Sequence, residues 1–392
     1  MRAVAQTIEI ARKRLQEVEK KLNTVVIGHE DMIRALMLAS VAGEHVVIIG
    51  PPGTAKSYAV RAYSRLLNAS FYSYLLTRFT SYDELFGAVD VVELTKGTFR
   101  RNWSKLISAD FVFLDEIFKA NSAILNSLLS LLQERIVYDP MTGQAVPTKT
   151  HTAVGASNEV PEDGELQALY DRFTAKVFID YLGDDASLLR AIEARWAANS
   201  DLQPLASMDD VKVLHNYALT LLGSKIKSLG DVRVYAVYHA NAVPLVKRLR
   251  QEGLLVSDRT VIEKLPKLFA AYLALYGVTR ENVMNAVFDL AVFLARDKSE
   301  VAAVKKAIEE ALGEVGKLAK KLEEAKKHLH AMNLQKAKEC LLEVINANVE
   351  ELAKKTPWMK PRVEAVVATA RQLLETVDRI ERELAALAGE EA

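Results

Sequence analysis

A lysine and a hydroxyl residue close a tight, glycine-containing run: Gly50, Pro51, Pro52, Gly53, Thr54, Ala55, Lys56 and Ser57. Backbone N–H groups of such a loop point inward and wrap a phosphate. A helix opening at Lys56 adds partial positive charge at the same point. Lys56 then reaches β- and γ-phosphates, and the Ser57 hydroxyl is a ligand for Mg²⁺. The usual pattern has Gly before the lysine, where this chain has Ala55. That position is expected to be helical already, so a Cβ is accommodated. A strand–turn–helix junction with a chance lysine would read the same way, so the surrounding elements decide.

A second signal lies further along. Phe111, Val112, Phe113 and Leu114 make an apolar run that ends in Asp115 and Glu116. Asp115 is suited to hold Mg²⁺, because hard cations take oxygen ligands. Glu116 is suited to orient and deprotonate an attacking water. Two acids at a strand end are common alone, but with the lysine loop they imply an ATP or GTP hydrolase of the P-loop class.

Both signals need a sheet that brings strand ends together. The runs His45–Ile49, Phe71–Leu76, Phe111–Leu114, Thr152–Ala156 and Lys176–Ile179 read as buried strands separated by helical segments. That alternation predicts an α/β core, a parallel sheet with helices on both faces. Val4, Ile8, Ala11, Leu15, Val18 and Leu22 predict an N-terminal helix, and a second helix is expected over about 30–42. The expected division is 1–180 for the nucleotide-binding core, 181–298 for a helical lid, and 299–392 for a C-terminal helical bundle or hairpin. In that C-terminal region an apolar stripe runs from Val301 to Leu329 and another from Leu341 to Leu352, and a third follows Pro357 and Pro361.

Composition narrows the class. The chain has 392 residues with 51 Lys+Arg against 51 Asp+Glu, a balance that argues against a non-specific nucleic-acid or membrane binder. A single cysteine, Cys340, excludes an internal disulfide framework and a cysteine-based zinc site. No run approaches 18 apolar residues and the N-terminus carries charge throughout, so a cytoplasmic protein is the expectation.

These motifs resemble those of the AAA+ ATPases, and more closely their MoxR branch, including RavA-type members. Ala before Lys in the phosphate loop looks like the MoxR variant. The segment Val26, Ile27, Gly28, His29, Glu30 resembles the one that borders adenine. Asp115 through Asn121 resembles the branch's extended second acidic motif. The resemblance covers roughly residues 1–300 and is densest in 23–180. It implies ATP and Mg²⁺ as ligands, with Val26, Ile27, the loop 50–57 and Tyr58 around the nucleotide. It also implies the sensor 1 role for Asn158, holding the attacking water or the γ-phosphate, although an Asn at a strand-to-loop turn is frequent. Arg172 resembles an arginine finger that reaches the neighbouring subunit's phosphates; the alternative is a surface Arg paired with Asp171. Arg259 resembles the sensor 2 arginine of the lid, at a helix start facing the γ-phosphate; the alternative is an exposed helix-start Arg. Arg135 is a further candidate for touching a neighbour's nucleotide, though a helix-end arginine near a carboxylate explains it as well.

The same resemblance implies a hexameric ring that remodels or assembles a client complex, chaperone-like, with a von Willebrand A domain protein as a partner. The rivals are a nucleic-acid motor of the helix-2-insert clade and an assembly scaffold that binds nucleotide without turnover. Residues 86–106, with alternating Val91 and Glu93 and a turn at Lys96-Gly97, read as a hairpin inserted within a helix. Residues 136–151 read as a second hairpin before sensor 1. Lys96, Phe99, Arg100, Arg101, Trp103 and Lys105 form a basic, aromatic cluster, either a solvated face or a client contact. His328 and His330 fall on different helix faces and are assigned no metal.

Overall fold

Apolar residues at three- and four-residue steps make α1 (Arg2–Val25), where Ala11, Leu15, Val18 and Leu22 are buried. The computed structural model describes residues 2–196, 202–223, 234–254, 256–355 and 360–389. α2 (Glu30–Ala42) opens on Glu30 and Asp31, acids at the positive end of the helix, and is buried along most of its length. It stops at Gly43 (φ 67°, ψ 34°), whose N–H returns to the carbonyls of Ala39 and Ser40. A Cβ there would lie 2.6 Å from the His215 ring, so both the turn and the packing require glycine.

The core follows in chain order as β1 (Val46–Ile49), α3 (Lys56–Leu66), β2 (Phe71–Leu75), α4 (Tyr82–Phe86), α5 (Val91–Thr95), β3 (Phe111–Asp115), α6 (Ser122–Glu134), β4 (Ile136–Tyr138), β5 (Ala145–Pro147), β6 (Thr152–Ser157), α7 (Gly164–Tyr170) and β7 (Ala175–Phe178). Five strands form one sheet in the order β2-β3-β6-β1-β7, and every pairing is parallel. β1 and β6 are buried at every position, as a sheet covered on both faces requires. The register sets Ile49 beside Ser157 and Phe178, and Leu75 beside Asp115. The C-terminal strand ends therefore form one rim.

Helices α8 (Asp185–Trp196), α9 (Met208–Gly223), α10 (Val234–Gln251), α11 (Leu265–Tyr276), α12 (Arg280–Ala291), α13 (Lys298–His330), α14 (Leu334–Ile345), α15 (Val349–Lys355) and α16 (Lys360–Gly389) complete the chain. It forms two compact units: Met1–Lys225 with Ser257–Val278 and Leu290–Val301, and Ile226–Val256 with Thr279–Asp289 and Ala302–Ala392. In the first, α9 and α11 pack with α1 and α2. In the second, α14 and α16 pack together, burying Ala337, Leu341 and Val344 along with Val363, Val367, Ala370 and Val377. Lys338 bridges Asp378 at 2.6 Å and Glu381 at 2.7 Å across that pair. The stripe Val301–Leu329 forms α13, but Gly313 (φ 55°, ψ −135°) kinks it. The stripe Leu341–Leu352 is divided between α14 and α15, and Pro357 lies outside the described residues. Among the described residues, no helix is long and apolar enough to cross a membrane.

The two inserts differ from the alternation read in the sequence. β4 and β5 pair antiparallel, as the second hairpin predicts. In residues 86–106 the arms meet through a bridge between Val89 and Arg101, but Val91 and Glu93 belong to the helical turn α5, capped by the Asp90 carboxylate. Nor does Arg101 belong to an exposed basic face. Its guanidinium is buried, donates to Asp139 at 2.7 Å, and also pairs with Asp83. It thereby ties the first insert to the second. Asp139 is equally buried, so removing the arginine strands a carboxylate. Arg101→Met is expected to cost about 3–5 kcal/mol of stability, read by urea denaturation.

Three histidines gather around the end of α2. His45 Nδ1 accepts the N–H of Ala153 at 2.9 Å, so its Nε2–H donates to the Leu132 carbonyl at 2.9 Å. His151 Nε2 meets the Ser40 carbonyl at 2.6 Å, and His215 Nδ1 meets that of Val41 at 2.9 Å. Arg135 is anchored here too, donating to the Gly43 carbonyl at 2.6 Å, with its other amino group 2.7 Å from His45 Nε2. These partners lie within its own chain and hold the arginine at the end of its helix. Burial, reinforced by the Arg135 charge, holds His45 well below the usual histidine range, and burial lowers His151 as well. A folded-state pKa below the unfolded value means that the unfolded chain binds more protons, so stability falls as pH drops below about 6.5. The melting temperature is expected to decrease from pH 7.5 to pH 5, with a shallower decrease in His45→Gln.

Candidate functional site

The sheet rim carries the phosphate loop between β1 and α3. The Gly50 N–H bonds the Ser157 carbonyl at 3.1 Å, and a Cβ on Gly50 would lie 2.5 Å from the Ile179 carbonyl oxygen. This is a close approach of backbones that only glycine permits. Gly53 adopts φ +81°, and a Cβ placed there would meet nothing within 4 Å, so its side of the loop is open. Ala55 is not helical. It sits in the left-handed region (φ 60°, ψ 18°) as the residue that opens α3, which corrects the helical expectation. A Cβ in that region costs about 1–2 kcal/mol, so the motif's usual glycine is avoided here at the expense of strain.

Lys56 is buried, and its ammonium donates to the carbonyls of Gly50 at 2.6 Å and Pro51 at 2.9 Å. Burial lowers its pKa, while Asp115 and Glu116 pull it back up. A lysine folded onto its own loop is poised to exchange those carbonyls for phosphate oxygens, which are stronger acceptors. The Ser57 side chain next to it is exposed. The open cradle, the buried cation and the facing carboxylates fit a nucleotide triphosphate with its magnesium.

β3 and β6 deliver the rest of the rim. Asp115 ends β3 and accepts the N–H of Glu116 at 3.0 Å. Glu116 has a left-handed backbone (φ 51°), a second strained position at the same site. Its carboxylate accepts from the Asn158 amide at 2.9 Å and meets Lys119 at 3.3 Å. The structure thus brings Lys56, Asp115, Glu116 and Asn158 together at adjacent strand ends.

Beside the loop lies a cavity of about 520 Å³. Val26, Ile27 and Tyr58 line it, together with Gly53, Thr54 and Ala55 of the loop. His29, from the segment likened to the adenine border, lines it too, and it also takes in residues that the sequence reading missed: the Asp180–Leu182 stretch, and Leu188, Ala191 and Arg195 from α8. One signal was present. Gly28 has φ +75°, and a Cβ there would lie 2.4 Å from Leu182 Cδ2, so the glycine marks where the two segments meet.

Arg172 and Arg259 do not line this cavity. Asp180 follows the C-terminal end of β7, whereas Arg172 precedes its N-terminal end, and four strand residues span about 13 Å. The Arg172 Nε is buried without a hydrogen-bond partner. Arg259 is exposed and paired with Glu263 at 3.0 Å. Its segment is held at the N-terminal end of the sheet, where Lys267 meets Glu44 at 2.7 Å just before β1. Arg172 and Arg259 therefore share the end of the sheet opposite the phosphate loop.

Residues 13–216, just over half the chain, match the family described as the MoxR domain of the MoxR–vWA–beta-propeller ternary systems. The chain belongs to the MoxR family of AAA+ ATPases. An uncharacterized protein of Methanocaldococcus jannaschii is 34% identical to it over 249 residues, 62% of each chain. The chaperone MoxR1 of Mycobacterium tuberculosis is 24% identical over 165 residues, 41% of this chain and 43% of that one. The chain thus spans less than two thirds of these curated relatives. A crystal structure of a candidate ATPase from Cytophaga hutchinsonii has a TM-score of 0.60 at 21% identity, covering 79% of this chain and 97% of the other. That likeness is one of fold.

Proposed function

We propose that this MoxR protein hydrolyses ATP in a ring, six-membered as the family resemblance implies, and uses the cycle to remodel or assemble a client protein complex. The observation that carries this reading is the opposite placement of two groups on one sheet. Lys56, Asp115, Glu116 and Asn158 gather at the C-terminal strand ends, while Arg172 and Arg259 lie at the other. A chain arranged this way offers its arginines to a neighbour's nucleotide and not to its own.

Each residue has a chemical role in this reading. The loop 50–57 wraps the phosphates with its N–H groups, and Lys56 neutralises the β- and γ-oxygens. Bound Mg²⁺, held by Ser57, Asp115 and the phosphates, would draw off charge from the γ-phosphoryl group. Glu116 takes the proton of the attacking water, and Asn158 keeps that carboxylate aimed. Val26, Ile27 and Tyr58 face the base. Arg172 and Arg259 of the adjacent chain supply positive charge to the transition state. The client reading rests on the chaperone relative and on a family description that names vWA and beta-propeller proteins. A von Willebrand A domain protein is accordingly the first partner to test.

Turnover measured against protein concentration tests the ring. Specific activity is expected to rise with concentration and then level off as assembly completes. Turnover independent of concentration in a monomer would contradict the proposal.

A further inference from the structure

We propose that Lys264 is a positioning residue: it locks the turn that bears Arg172 to the helical segment that bears Arg259, so that both arginines reach a neighbouring subunit as one unit. The inference rests on the proposed function, in which these arginines act between chains. Lys264 ends the wide helical turn Thr260–Lys264 that leads into α11. Its side chain is buried, and its ammonium donates to the carbonyls of Asp171 and Phe173. Those carbonyls flank Arg172 on either side, so one cation clamps the backbone from which the guanidinium projects.

A second tie runs in parallel. Arg259 pairs with Glu263, Glu263 with Lys267 at 3.0 Å, and Lys267 with Glu44 at 2.7 Å. Glu44 in turn accepts from the Thr174 hydroxyl at 2.6 Å, two residues beyond Arg172. The arginines are thus linked at both edges of the 171–174 turn. The lever arm between them is short, and a buried ammonium held by two carbonyls resists sliding because leaving either one strands a charge.

Electrostatics point the same way. Burial, with the charges of Arg259 and Arg172, lowers the Lys264 pKa, while Asp171 and Glu44 pull it back up. Nearby Lys176, on β7, is pushed down to about 7 by burial and by Lys264. Keeping an ammonium buried there carries a desolvation cost. A methionine of similar volume would fill the same space without that cost.

Mixed rings separate this role from a structural one. Chains carrying Glu116→Gln keep their arginines but cannot hydrolyse, and chains carrying Arg172→Ala keep their own rim but lack the finger. Mixed together, they are expected to recover activity that neither has alone. Adding Lys264→Met to the Glu116→Gln chain is expected to cut the recovered turnover by about tenfold or more, since small misplacements of a charge donor are expensive. Adding it to the Arg172→Ala chain is expected to change turnover by less than about twofold, because that chain's arginines are no longer in use. Equal losses in both placements, or no loss in either, would overturn the positioning role while leaving the trans arginine standing. No recovery in the parent mixture would overturn both. Should Lys264→Met not fold, Lys267→Met breaks the parallel, half-exposed tie, and the same asymmetry is required of it.

Discussion

Arg172→Ala is expected to lower ATP turnover by about 10³-fold or more, with ATP affinity changed by less than about twofold. The asymmetry follows from the sheet. In the proposed reading, nucleotide contacts come from the loop 50–57 and the cavity at the C-terminal strand ends, which the substitution does not touch. The guanidinium acts only where charge develops on the transferring phosphoryl group, so its loss falls on kcat. Steady-state kinetics at assembled concentrations, with equilibrium binding of a labelled nucleotide, separate the two quantities. A variant that loses affinity as well would place Arg172 in ground-state binding. A variant with near-normal turnover would remove the finger and leave Arg172 as a buried structural residue.

Glu116→Gln is expected to reduce hydrolysis by about 10²-fold or more while leaving nucleotide bound. The amide keeps the size of the side chain but cannot accept the proton of the attacking water. It can still meet Asn158, so local geometry is largely kept. Lys56 loses one of the two carboxylates that raise its pKa and keeps the other, Asp115. The consequence is a long-lived ATP state suited to holding a client, and affinity capture with this variant identifies what remains attached. Hydrolysis equal to wild type would sink the assigned role; wild-type protein with no turnover above this variant would favour a nucleotide-binding scaffold.

Local chemistry was the readable portion of this sequence. The stretches 46–49, 111–114 and 153–156 carry no polar side chain, so burial on both faces shows directly in composition. The phosphate loop and the acidic pair are contiguous motifs and need no knowledge of distant partners. What could not be read was either short or long-range. Val91 and Glu93 span too few residues for period two to be told from a single helical turn. Ala55 takes a left-handed backbone imposed by the loop, against its own preference. Arg101 looks like a surface cation until Asp139, far along the chain, covers it. Nothing near Arg259 in the sequence announces that Lys267 meets Glu44, and that contact joins segments that no local pattern connects.

The length of β7 has one more consequence. Its two ends carry the two halves of the proposed site, the rim that holds nucleotide and the arginines offered to a neighbour. In the proposed ring, contact proceeds head to tail and ends when the last chain meets the first. A lesion in one copy then silences the site next door, so a minority of defective copies poisons an assembly in proportion to its size.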